Sequence, residues 1–143
     1  MTPKFAIFWP VFALAAWTVC MLLLVAAKRV RAGLGGQVHP REYALGESAK
    51  VPPEISLFNR NYMNLLELPV LFYVACVIAY VTGIATRHLV VLAWIYVALR
   101  VAHSLIHVTY NRVMHRFAAF AASNFILVTM WVLLARALAN AVN

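Results

Sequence analysis

The chain has 143 residues, of which 65% are hydrophobic and only 11% charged, and its formal net charge is +8. Soluble domains carry roughly 25% charged residues, so this composition excludes an ordinary water-soluble fold and points to a membrane protein. The basic residues lie between apolar runs, a pattern of membrane orientation rather than nucleic-acid binding, and no nucleic-acid partner is expected.

Length fits one domain over residues 1–143. Residues 5–27 carry no charge, which exceeds the apolar core of a signal peptide and reads as a first, uncleaved span. Pro10 is expected to bend it near its start. Lys28, Arg29 and Arg31 close it with positive charge. Residues 32–55 form a polar connection broken by Gly33, Gly35, Gly36, Pro40, Pro52 and Pro53. No Gly-Lys-Ser/Thr follows the glycines, so they make no phosphate loop. A connection of this length is expected to act as a lid or a mobile segment. The second span is expected at 56–81, kinked by Pro69 just past Glu67. The third is expected at 87–110. The fourth, at 117–138, carries a small-residue face of Ala118, Ala119, Ala122 and Ser123 for close helix packing. Cys20 and Cys76 fall inside apolar runs and read as buried thiols, not as a disulfide or a zinc site. No metal site is expected. The fold class is therefore all-α, an integral membrane four-helix bundle.

Four spans put both termini on one side. The two connections on the other side hold Lys28, Arg29, Arg31, Arg41, Lys50, Arg60, Arg112 and Arg116, against Lys4, Arg87 and Arg136 on the side of the termini. The positive-inside rule then places those connections in the cytoplasm and both termini opposite.

Two polar stretches interrupt the apolar runs. Arg60, Asn64 and Glu67 are spaced by four and three, which sets them within an arc of about 60° on one helical face. Arg100, His103 and His107 repeat that spacing in reverse order. Pairing Glu67 with Arg100, Asn64 with His103 and Arg60 with His107 gives one constant index total, as level residues on antiparallel helices do. A carboxylate and an amide inside a span are costly unless they face a partner or a wet cavity, so they mark a candidate site. Two plainer readings stand beside that one. Glu67 and Arg100 can form a buried pair that only fixes helix register, and the histidines can simply bridge helices. The arginines at the boundaries also serve as topology signals or headgroup anchors.

The two stretches resemble the MAPEG family, the membrane-associated proteins of eicosanoid and glutathione metabolism, in a bacterial-type form. In that family an arginine, an asparagine four residues on and a glutamate seven residues on open the second span, as Arg60, Asn64 and Glu67 do here. An Arg-x-x-His-x-x-x-Tyr-like run marks the third span, read here as Arg100, His103 and His107. The resemblance covers the whole four-span plan. It implies a homotrimer with glutathione as co-substrate, held between neighbouring subunits near the cytoplasmic face. Carried over by position, Arg29, Arg31, Arg60, Asn64, Glu67, Arg100, His103 and His107 belong to the glutathione site, and Arg116 faces the thiol as the catalytic residue. This chain departs from the pattern at three places. His107 replaces a tyrosine, Phe117 and Phe120 replace polar residues, and Pro69 comes a residue or two early.

The implied chemistry is coherent. Guanidinium groups suit the two carboxylates of glutathione, and Glu67 suits its ammonium. The thiol has a pKa near ~8.5 and reacts as the thiolate. Arg116 beside it would favour the charged form, with His103 or His107 as proton acceptor. The expected activity is a glutathione-dependent transferase or peroxidase acting on lipophilic electrophiles that arrive from the bilayer. The alternative is a non-enzymatic membrane binding or scaffold protein of the same fold. A proton- or ion-conducting bundle is a weaker rival, since no inverted repeat supports a transporter.

Overall fold

The computed structural model describes residues 3–44 and 46–142. A short helix α1 (Pro3–Ala6) turns at Ile7 into α2 (Phe8–Leu34), and a connection containing a 3-10 turn (Pro40–Tyr43) leads to α3 (Pro53–Leu66). The chain continues through α4 (Pro69–Val81), α5 (Arg87–Val108) and α6 (Val113–Val142). With α1–α2 and α3–α4 each counted as one run, four helices are long and apolar enough to cross a membrane. Hydrocarbon offers no partner for the backbone, so each run must satisfy its own N–H and C=O groups, as a helix does.

The helices overrun the apolar runs at their polar ends. α2 continues past Lys28, Arg29 and Arg31 to Leu34, and α6 starts at Val113, ahead of Arg116. Charge ends the hydrocarbon zone but does not end a helix; glycine does. Gly36 takes a left-handed φ of +69° just past α2, where Gln37 N–H reaches back to the Ala32 carbonyl at 2.9 Å, closing the helix end. Proline sets the two internal breaks. Pro10 lacks the N–H that would bond to the Ala6 carbonyl, and the helix restarts between those residues. Pro69 opens α4 as its first residue, and Glu67 before it has a ψ of −100°. The expected kink is therefore a full interruption, one that falls on Glu67 itself.

α5 is central. It buries Leu89, Ala93, Tyr96, Val97, Arg100, His103, Ser104 and His107 along one stripe, with Tyr96 stacked on Phe72 of α4 at 4.6 Å between ring centroids. Thr86 caps its start by accepting from Leu89 N–H at 3.3 Å. The turn at residues 109–112 returns the chain antiparallel as α6. The outward faces are apolar as well: Leu23 is 63% and Phe125 71% exposed, as lipid-facing residues would be. Of the small residues of α6, Ser123 is buried, while Ala118 and Ala122 face outward. Both cysteines are free; Cys76 is buried as expected, but Cys20 is exposed, on the outer face of α2.

Lipid tails are as apolar as the side chains, so polar ties carry much of the specificity between spans. The clearest is Asn61 Nδ2, which donates to Ser104 Oγ at 2.6 Å with both residues fully buried. Neither residue stood out in the sequence. Asn61→Ala should lower stability by about 1–2 kcal/mol by stranding the serine hydroxyl. Adding Ser104→Ala should then lose little more. Strictly additive losses in detergent melting curves would mean that the bond contributes nothing.

The connection before α3 is not a loose lid. Val38 and Val51 pack with Ala32 and Ile55 into a small core of their own, with Tyr43 against it. Glu42 accepts from Ser48 Oγ at 2.6 Å and Lys50 Nζ at 3.3 Å, and these two bonds hold its carboxyl below the usual carboxylate range. Arg29 closes the assembly from α2, pairing with Glu47 at 3.0 Å and lying 4.7 Å from the Tyr43 ring. A long loop becomes ordered when it brings its own apolar residues and counter-ions, as this one does.

Candidate active site

A cleft of about 470 Å³ opens among α3, α5 and α6. Arg60, Met63, Asn64 and Glu67 line it from the α3 side, His103 and His107 from α5, and Val113, Arg116, Phe117 and Phe120 from α6. Six of the nine candidate residues read from the sequence thus meet around one space. The helical spacing explains why. Arg60, Asn64 and Glu67 share a face of α3, and its interruption at Glu67 leaves that carboxylate exposed at the helix end. Arg60 is exposed too, so both charges are hydrated and able to bind a ligand.

Two of the expected cross-helix pairs, Glu67 with Arg100 and Asn64 with His103, are not joined by an ion pair or hydrogen bond among the described residues, while Arg60 and His107 line the same cleft. Arg100 is 1% exposed and donates through Nη2 to the backbone carbonyl of Asn64; among the described residues no ion pair joins it to Glu67. The helix break causes this. A continuous helix would bond the Asn64 carbonyl to Leu68 N–H, but the Glu67 ψ of −100° frees that carbonyl. A cation at a helix C-terminus is doubly favoured, by the orphan acceptor and by the helix dipole. Arg100 therefore caps α3 from behind the cleft wall. Its guanidinium also lies 5.7 Å from the Phe120 ring and 6.0 Å from the Tyr96 ring. Asn64 does not meet His103 either; its Nδ2 donates to the Arg60 carbonyl at 2.9 Å.

Arg116 is held from two sides. Its Nη1 donates to Asn111 Oδ1 at 2.8 Å and lies 3.4 Å from His107 Nε2. Asn111 has a left-handed φ of +46°, a conformation asparagine tolerates better than most residues, and its N–H bonds to the Ile106 carbonyl at 2.8 Å. The same residue therefore turns the chain and aims the arginine. Sequence reading missed Asn111 as a site residue; an asparagine between two helices and close before the arginine was the available signal. His103 Nδ1 lies 3.0 Å from the Arg116 carbonyl. A carbonyl only accepts, so Nδ1 carries the proton and Nε2 keeps a free lone pair. That Nε2 is buried with no partner among the described residues, as is His107 Nδ1.

Arg29 and Arg31 do not line the cleft. Arg31 is exposed, and Arg29 is bound to Glu47. A neighbouring polar hollow of about 410 Å³ is lined by Glu47, Ser48, Asn111 and Arg60, so Arg60 reaches both spaces. Among the described residues no three metal-binding side chains gather.

Membrane-length helices surrounding a polar cleft at one end define a multi-span α-helical membrane protein with a site sized for a small molecule. Residues 7–136 match the model of the MAPEG family, and the chain belongs to that family, which includes glutathione transferases and peroxidases and commonly uses glutathione. Neither the curated proteins nor the solved structures yield a match.

Proposed function

We propose that the protein is a glutathione-dependent transferase or peroxidase acting on lipophilic electrophiles, and that it assembles as a trimer with the cleft toward the cytoplasm. The supporting observation is the charge inventory of the cleft, two guanidinium groups and one carboxylate around about 470 Å³. That volume lies within the roughly 300–1,000 Å³ usual for ligand sites. Glutathione offers each of these charges an opposite one: a carboxylate for Arg60, its ammonium for Glu67 and its thiolate for Arg116. His103 and His107 add polar side chains to the cleft lining.

In this reading Arg60 takes a carboxylate and Glu67 the ammonium. Arg116, held by Asn111, faces the sulfur and stabilises its negative charge. The thiol proton leaves to the water that hydrates the exposed Arg60 and Glu67 side of the cleft. Sulfur then forms a bond to the electrophilic carbon, and the leaving group departs with the bonding electrons. Phe117 and Phe120 keep that side of the cleft apolar, which suits a substrate delivered from lipid.

Calorimetric titration of the purified protein with glutathione tests this reading. Measurable binding is expected, with Arg60→Ala and Glu67→Ala each weakening it about tenfold or more, in line with truncating one partner of a charged contact. Absence of binding by the unmodified protein would sink the proposal in favour of a non-enzymatic membrane scaffold.

A further inference from the structure

A second, larger cavity lies away from this cleft. It is a groove of about 880 Å³ where the start of α5 meets the end of α6. Leu89 and Leu92 on one side and Leu133 and Ala137 on the other make its walls apolar, while Arg87 and His88 line it where α5 begins. We propose that this groove binds an anionic phospholipid of the surrounding bilayer, with its phosphate at Arg87 and an acyl chain along Leu92 and Leu133.

Three observations carry the assignment. The first is depth. Arg87 is the first residue of a membrane-length helix, so it sits at the level of headgroups. Leu92 lies five residues further in, roughly 7–8 Å along the helix axis, at the level of acyl chains. The groove thus runs from polar to apolar in the same sense as a lipid. The second is charge. The side chains of Arg87 and His88 make no ion pair or hydrogen bond to any described residue. The four acidic residues are Glu42, Glu47, Glu54 and Glu67. The nearest in sequence, Glu67, is separated from Arg87 by the whole of α4. Arg136, beside Ala137 on α6, adds a second exposed cation. Among the described residues lining this groove a phosphate meets a cation and no acidic side chain, whereas the ammonium of a zwitterionic headgroup finds no carboxylate side chain there. The third is shape. A free inorganic anion would leave the leucine walls uncovered, and the volume exceeds what it could fill.

The test uses full-length protein reconstituted in bilayers of equal parts phosphatidylglycerol and phosphatidylcholine, then released gently for mass spectrometry of the intact protein–lipid complex. Phosphatidylglycerol should be retained over phosphatidylcholine by about fivefold, the effect of one arginine at an anionic surface. Arg87→Gln should bring the ratio back to that of the bilayer, and Arg87→Lys should keep most of the preference. Leu133→Trp fills the groove without changing charge, and it should lower retention of both lipids. Equal retention by the unmodified protein, or an undiminished preference in Arg87→Gln, overturns the proposal. Displacement of phosphatidylglycerol by soluble glycerol phosphate would also overturn it, by showing a site for the headgroup alone. So would a change in protomer number in Leu133→Trp with lipid retention unaltered, which would identify a second copy of the chain as the occupant. Glutathione titration of the same variants should be unchanged, so this result stands apart from the function proposed for the cleft.

Discussion

Arg116→Ala should leave glutathione binding largely intact, raise the pKa of the bound thiol and slow conjugation by about 10²-fold or more. Its role in the proposed mechanism is to stabilise charge that exists only on the thiolate, so its loss falls on the reactive form and not on the bound peptide. Removing one such donor from an anion-stabilising site commonly lowers kcat by about 10²–10³. The measurement is thiolate absorbance of the complex against pH, read beside turnover with a lipophilic electrophile. A thiol that titrates as in the unmodified protein would remove Arg116 from the chemistry. Asn111→Gly offers a finer version. Glycine keeps the left-handed turn of this residue (φ +46°) while deleting the amide that holds Nη1, so part of the same pKa rise should follow with the fold preserved.

Arg100→Ala should be the most destabilising single change in the bundle, lowering stability by about 2–4 kcal/mol. Two effects add. A hydrogen bond from a charged donor contributes about 1.5–3 kcal/mol, and truncating a long, fully buried side chain leaves a cavity. One effect opposes them: Nε and Nη1 of Arg100 have no partner among the described residues, so burying this charge is itself unfavourable. Arg100→Met separates the contributions, because it keeps most of the volume and removes only the cap. It should lose about half as much stability and should still weaken glutathione binding, although Arg100 does not line the cleft. The Asn64 carbonyl it releases belongs to the helix end that presents Glu67. Arg100→Met melting and binding like the unmodified protein would show that the cap holds nothing in place.

The sequence carried the four runs and the shared face of Arg60, Asn64 and Glu67, because hydrophobic length and helical period depend only on residue order. The same period put His103 and His107 on one face of the third span, whereas Arg116 was set beside them only by the family resemblance. The pairing of Glu67 with Arg100 was misjudged for a physical reason. Level indices assume unbroken helices, and Pro69 interrupts one of them just where the register is counted. The freed backbone carbonyl has no signature in the side-chain alphabet, so Arg100's true partner was invisible. The ordering of the connection was hidden in the same way. Val38 and Val51 are too few and too scattered to register as a pattern, yet they find Ala32 and Ile55 in space. Asn61 and Ser104 lie far apart in the chain, and each alone looks like an ordinary polar residue on a helix.

The return between α5 and α6 sets a limit on how this chain can vary in length. Only residues 109–112 separate the two helices, and the left-handed Asn111 fixes the exit direction. One residue inserted there would disturb the bond from Asn111 N–H to the Ile106 carbonyl that sets this direction, displacing Arg116, Phe117 and Phe120 together. The connection before α3 is less constrained at His39, Pro40, Arg41, Ala49 and Lys50, which are exposed. Insertions and deletions compatible with the cleft therefore belong in the long connection, and the short return behaves as a fixed-length gauge between the two halves of the site.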